Sequence, residues 1–228
     1  MTGDALDAPR IHPTAILEED VIVGAGTAIW DHAHLRAGVR IGRSCIVGGK
    51  SYLGPGVRVG DLVKINACAY LCYGVTIEDG CMIAAHVVFT NDATPRAADL
   101  EQGRLLASTP SAATQHTTVR RGASVGANAT VGPGIVLGEF CMVGMGSVVT
   151  RDVPAHGLVV GNPGRLIGLV DRAGRKVAEL VDGRLPPEGT VIDCGDGTHL
   201  RAISGRMVLE CGGSSTDTDR KSASDSLS

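Results

Sequence analysis

The sequence predicts an all-β chain wound as a parallel coil of about seven turns, with one extruded loop and a small β-rich appendage near its C-terminal end. Three observations predict it. First, an aliphatic or aromatic anchor recurs every sixth residue: Ile11, Leu17, Val23, Ile29, Leu35, Ile41, Val47, Leu53, Val59, Ile65, Leu71, Ile77, Ile83 and Phe89, resuming at Val119 and running through Val125, Val131, Leu137, Val143 and Val149. A helix repeats its apolar face every three or four residues and a strand every two, so neither explains a period of six. Second, a small or β-branched residue follows four places after each anchor, as in Ala33, Val39, Cys45, Ser51, Val57 and Val63. Third, the place three after the anchor favours Asp, Asn or Gly: Asp20, Gly26, Gly38, Gly56, Gly74, Gly80, Gly122, Asn128, Gly134, Gly146 and Asp152. These residues tolerate the positive φ that a bend needs. An inward anchor, a second small inward residue and a bend describe one side of a prism. Three sides close a coil, and stacked coils make a parallel β-helix.

The elements follow in order. Residues 1–10 read as an N-terminal arm and 11–168 as the coiled domain. The stretch "TNDATPRAADLEQGRLLASTPSAATQHTT", residues 90–118, has no anchor track and reads as a loop extruded from one coil. After the coils "VPAHGLVVGNPGRLIG" leaves the prism. Residues 169–211 suggest short antiparallel strands, and 212–228 form a polar Ser/Asp-rich tail expected to be disordered.

Composition bounds the function. The chain has 228 residues and a formal net charge of −3, which gives nucleic-acid binding no support. No apolar run approaches the roughly 18 residues of a membrane span. The opening "MTGDALDAPR" is acidic and polar, unlike a secretory signal. The seven cysteines follow no disulfide spacing, and Cys45, Cys81 and Cys141 fall on the small inward track. Reduced thiols in a cytoplasmic protein are the expectation.

Three motifs carry a resemblance: "IHPTAI…VGAGTAIWDHAHL", "VFTNDATPRA" at the loop entrance, and "VRRGASVGANATVGPG…MVGMGSVVTRDVP…VVGNPGRLIG". Together they resemble hexapeptide-repeat N-acetyltransferases that use acetyl-CoA on nucleotide-linked 3-amino sugars. The resemblance implies a left-handed β-helix, a homotrimer, and acetyl-CoA lying in the groove between adjacent prisms. The acceptor it implies is a dTDP- or UDP-linked amino sugar. Members acting on UDP-linked amino uronic acids read approximately "GQN" and "KIQNN" where this chain has Gly48–Lys50 and Lys64–Cys68. Relatives with a cysteine-paired appendage have more thiols there than Cys194 and Cys211, so no metal is expected.

The chemistry is acyl transfer from a thioester to an amine. It needs a neutral amine aimed at the carbonyl, a donor for the oxyanion and an acceptor for the proton. Asn91 and His86 are the catalytic candidates: Asn91 to orient the amine or hold the acetyl group, His86 as a general base of a residue type that titrates near neutrality. The plain alternatives are a turn at 90–92 and a bend residue at His86, the place His32 also occupies. A base-free route, in which the departing CoA thiolate takes the proton, is also open. For the acceptor the candidates are Asp92, Arg96, Asn66, Tyr70 and His116, with Tyr73 beside them. For the cofactor they are Gly126, Ala127, Gly144, Met145, Gly146 and Ser147, with Pro163 and Arg165 near the CoA phosphates. Rival readings are an O-acetyltransferase, a metal-dependent hydratase needing three converging histidines, and a non-enzymatic scaffold.

Overall fold

A computed structural model describes residues 8–211. The chain winds as a three-faced parallel β-helix in two-residue strands joined by bends. Face I opens with Arg10–Ile11, face II with Ile16–Leu17 and face III with Ile22–Val23. Each strand pairs with the one a coil later. Ile29 sits under Val47, Leu35 under Leu53 and Ile41 under Val59. The expected parallel β-helix and its anchor register are therefore what the chain forms, in seven full coils and the start of an eighth.

Sterics explain the period. Every anchor from Ile29 to Phe89 and from Val119 to Val149 points inward and is buried. So do the second-track residues Ala33, Val39, Cys45, Ser51, Val57, Val63, Ala69, Val75, Cys81 and Val87. Each buried aliphatic side chain contributes roughly 1.5–3 kcal/mol relative to exposure. Burial pushes the thiols of Cys81 and Cys141 up to about 12, so on the inward track they act as small hydrophobes. The first coil departs from the pattern: Ile11 is 44% exposed and Leu17 and Val23 are half-buried, because among the described residues no coil lies beneath them.

The bend track holds positive φ at Asp20, Gly26, Gly38, Gly56, Gly74, Gly80, Gly122, Asn128, Gly134 and Gly146. It does so equally at His32, Lys50, Leu62, Cys68, His86 and Phe140, so the fold imposes this conformation even where glycine is absent. Asp152 is the exception. The last face-III passage is shorter than six residues, and Val153 bridges Leu137 directly. Asp152 therefore carries no positive φ and instead accepts a hydrogen bond from Val136 N–H at 2.8 Å.

The chain leaves the ladder after Val88–Phe89 and re-enters at Thr117–Val119, so Val119 rather than Pro95 stacks on Ile77. The expected loop thus closes just before Thr117, because Thr117 already pairs with Val75. Within it Ala98–Asp99 and Arg104–Leu105 form a small antiparallel hairpin.

The coils also persist further than expected. Gly157–Val160 still stacks in parallel on Met142–Val143. Then Arg165–Val170 and Lys176–Glu179 turn back as antiparallel strands on face I. Val191–Asp193, Thr198–Ile203 and Arg206–Cys211 form a separate three-stranded antiparallel sheet. Leu169, Cys194, Leu200, Ala202 and Met207 give this appendage its own small core. Arg10 already belongs to the first strand, one residue inside the expected arm. The rest of the arm through residue 7, and the tail from 212, lie outside the described residues.

Candidate functional site

The prism has three corners, and the candidate residues fall on two of them. At the I–II corner each coil donates one backbone N–H to the carbonyl a coil below. Lys50 donates to Asp31, Cys68 to Gly49, His86 to Ala67, Asn128 to Ala85 and Gly146 to Ala127, at 2.8–3.1 Å. His86 is therefore one step below Asn128 and two below Gly146 in a single column. The candidate base and the cofactor candidates share one corner.

Within that column the side chains separate. Met145 is 81% exposed and Gly146 is open to solvent, with no atom within 4 Å of the position a Cβ would take. Gly126 is small for another reason: a Cβ there would lie 2.5 Å from Met145 N, so the next coil requires glycine. Ser147 does not face a ligand groove. It is fully buried, and its Oγ accepts a hydrogen bond from Gly161 N–H at 3.1 Å. That bond ties the "GNPGR" exit to the corner, and Gly164 N–H then donates to Val148 O. Pro163, preceded by a cis peptide bond, and Arg165 are exposed above the column. Among the described residues Arg165 donates only to the neighbouring Gly164 carbonyl, at 3.2 Å. His86 is exposed with φ of 59°, so its backbone is the bend residue that the plain reading described, while its imidazole stands free at the surface.

The II–III corner holds the loop. Asn91 is half-buried there, and its Nδ2 donates to Tyr73 O at 3.2 Å. Gln115 N–H reaches Asn91 O at 3.4 Å where the loop returns. His116 stacks edge-on against Tyr73 with ring centroids 5.6 Å apart. Asn91, Tyr73 and His116 are thus assembled into one cluster by the two ends of the loop. Asp92 and Arg96 are exposed and locally occupied. Asp92 Oδ1 accepts from Thr94 N–H at 2.8 Å in a turn, and Arg96 donates to Pro95 O.

Face II connects the two corners. Tyr70 is 44% exposed and stacks on Tyr52 at 4.9 Å. Tyr52 in turn accepts a hydrogen bond from Arg36, and Arg36 pairs with Glu18 at 2.5 Å. The Arg36 guanidinium, with the Ala37 N–H and His34 also donating, holds the Glu18 carboxyl down at about 2, against the smaller opposing effect of desolvation. Asn66 stands at the start of the I–II corner, its backbone carbonyl bound to Ser51 Oγ.

His86 and Asn91 do not meet within one chain. Four residues, with the strand Val88–Phe89 among them, carry the chain across face II between them, five residue steps or up to roughly 16 Å. Sequence reasoning missed Gln115, whose contribution is a backbone group and so leaves no side-chain signal. It also gave no weight to the third corner, where Phe140 interrupts a column otherwise rich in small bend residues.

Comparison with known proteins fits this architecture. The hexapeptide repeat of succinyl-transferase matches residues 38–72 and 121–151. The chain is 43% identical over 79 residues to a dTDP-3-amino-3,6-dideoxy-alpha-D-galactopyranose 3-N-acetyltransferase of Aneurinibacillus thermoaerophilus, covering 35% of this chain and 38% of that one. It is 46% identical over 57 residues to serine acetyltransferase 4 of Arabidopsis thaliana, covering 25% of this chain and 16% of that one. It thus spans well under half the length of either relative. Among solved structures, a mutant of AntD, an N-acyltransferase from Bacillus cereus in complex with dTDP and coenzyme A, aligns over 68% of this chain and 86% of that one, at 20% identity and a TM-score of 0.38. The two matched segments fall on the stacked six-residue sides of the prism, so what the chain shares with that family is the hexapeptide repeat over those residues.

Proposed function

We propose that the protein transfers acetyl from acetyl-CoA to the amine of a nucleotide-linked 3-amino sugar, dTDP- or UDP-linked, in the cytoplasm. The observation that carries the substrate class is the 79-residue stretch at 43% identity to an enzyme of that name. The geometry supports the division of labour. The I–II corner, with exposed Met145 and open Gly146, offers backbone N–H and C=O groups to the pantetheine arm, and Arg165 suits a phosphate of CoA. The II–III corner, roofed by the loop, offers Asn91, His116 and Tyr73 to the acceptor, with Asp92 and Arg96 beside them on the loop.

In the reaction the neutral amine attacks the thioester carbonyl. The C–N bond forms, the C–S bond breaks, and the amine's surplus proton passes to the CoA thiolate. Backbone N–H groups steady the oxyanion, and Asn91 orients the amine or the acetyl group. In the base-assisted form His86 carries the proton; in the base-free form it does not. His86 and Asn91 stand at opposite ends of one strand, so a site using both corners needs two copies of the chain. We therefore place acetyl transfer between prisms of a homotrimer.

A mass-spectrometric assay tests this. Acetyl-CoA is offered with dTDP- and UDP-linked 3-amino sugars, and with L-serine as a second arm because of the 57-residue match to a serine acetyltransferase. A mass gain of one acetyl group on a nucleotide sugar supports the proposal. Acetylation of serine alone favours an O-acetyltransferase. No transfer and no CoA binding would point to a scaffold.

A further inference from the structure

Above the third corner, III–I, and reaching the last II–III passage at Thr150–Asp152, lies a cleft of about 1170 Å³ between the last coils and the appendage. A phosphate alone does not need that room; ligand pockets typically run to about 300–1,000 Å³. Arginines dominate its wall. Arg121, Arg151, Arg172 and Arg206 line it, together with Arg165, which the proposed function reserves for a CoA phosphate; among the described residues none of these guanidiniums lies within 4.0 Å of a carboxylate oxygen. Arg120 also lines the cleft but is already paired with Glu78 at 2.7 Å. The acidic residues of the wall are Glu139, Asp152 and Asp182, fewer than the unpaired guanidiniums. The whole chain carries a formal charge of −3, so this local cationic surplus is not inherited from composition.

The wall is also organised. Phe140 stacks above Gly122 and below His156 in the corner column, through Phe140 N–H to Arg121 O and His156 N–H to Glu139 O. The guanidiniums of Arg121 and Arg172 lie 5.5 and 5.1 Å from the Phe140 ring centroid. The buried His156 ring stacks on Phe140 at 5.4 Å and is fixed by Val170 O at 2.9 Å from its Nδ1. A guanidinium held against an aromatic face keeps its N–H fork available, and that fork matches phosphate oxygens. One guanidinium comes from a coil, another from the first appendage turn, and Arg206 from the last hairpin. Several forks spread over a roomy cleft suit an anion with more than one phosphoryl group.

We propose that this cleft binds a diphosphate-bearing small molecule through Arg121, Arg151, Arg172 and Arg206, as a second anion site beside the one proposed for CoA at Arg165. Isothermal titration of the full chain with inorganic pyrophosphate at low ionic strength tests it, with CoA and dTDP present at saturation. The expected result is saturable binding that persists beside both ligands. It should weaken about tenfold or more in Arg121→Gln/Arg172→Gln, the loss expected for removing charge-assisted hydrogen bonds. Arg206→Gln, at an exposed hairpin turn, should weaken it too and guards against misfolding of the double variant. Three results would overturn the proposal: no saturable binding, loss of binding when CoA and dTDP are added, or unchanged affinity in the well-folded variants.

Discussion

Along the I–II corner the chain passes at the same height in every coil; along the II–III corner one passage is replaced by the loop between Phe89 and Thr117. The first corner is consequently made of backbone. Its ladder from Lys50 to Gly146 is continuous, and its side chains are small, absent or pointed outward. The second corner is made of side chains, because the loop's two ends bring Asn91 over Tyr73 and His116 against it. The difference teaches how a monotonous repeat acquires specificity. On the proposed function, regular stacking would supply a uniform groove for a flexible, largely featureless arm, and one insertion the groups that distinguish one acceptor from another.

Both corners hang on the same interior, so the largest expected effect removes both. Leu53→Asp buries a carboxylate among aliphatic anchors with no partner. It should cost several kcal/mol, a large part of a typical stability of about 5–15 kcal/mol. Thermal unfolding would check it, and wild-type melting would contradict the register. Leu200→Ala strikes the appendage core instead. It should cost about 2–5 kcal/mol, confined to that unit, leaving the prism's amide protection intact by hydrogen exchange.

A smaller effect sharpens the contrast on face II. The folded state holds Glu18 down at about 2 from an ordinary 4.5. A depressed carboxylate contributes stability above its unfolded value and loses it as the pH falls through the folded one. Melting temperature should therefore decline between about pH 4.5 and 2 by more in wild type than in Glu18→Gln. Equal declines would mean the Glu18–Arg36 pair does not order face II.

The prism was legible in the sequence because its constraint is one-dimensional. Each hexad meets only the hexads above and below it, so burial writes itself as a period, and Leu35, Val47 or Ile83 can be placed without knowing distant contacts. Where that constraint lapses, legibility lapses. Asp152 sits in the right place by counting, but the last face-III passage is shortened. Ser147 looks like a small groove residue, yet its hydroxyl serves Gly161. Ile11 keeps the period but has no described coil beneath it to bury it. The clustering of Asn91 with Tyr73 and His116 was legible only in so far as a motif marked the loop entrance. The Phe140 column was not, since its partners Arg121, Arg172 and His156 meet through the fold across a long stretch of sequence.

The proposed division between the corners predicts different kinetic roles for His86 and Asn91. If proton transfer needs no protein base, His86→Ala should lower kcat less than about tenfold; a base-assisted route would cost about 10²–10⁴-fold. Asn91→Ala should be damaging on either route. The most direct measurement is therefore kcat for acetyl transfer and Kd for CoA, taken together on Asn91→Ala with a confirmed acceptor. A separate acceptor corner predicts a kcat loss on the order of 10²-fold with CoA affinity near that of wild type. Near-normal kcat, or CoA binding lost along with it, would contradict the division between the corners.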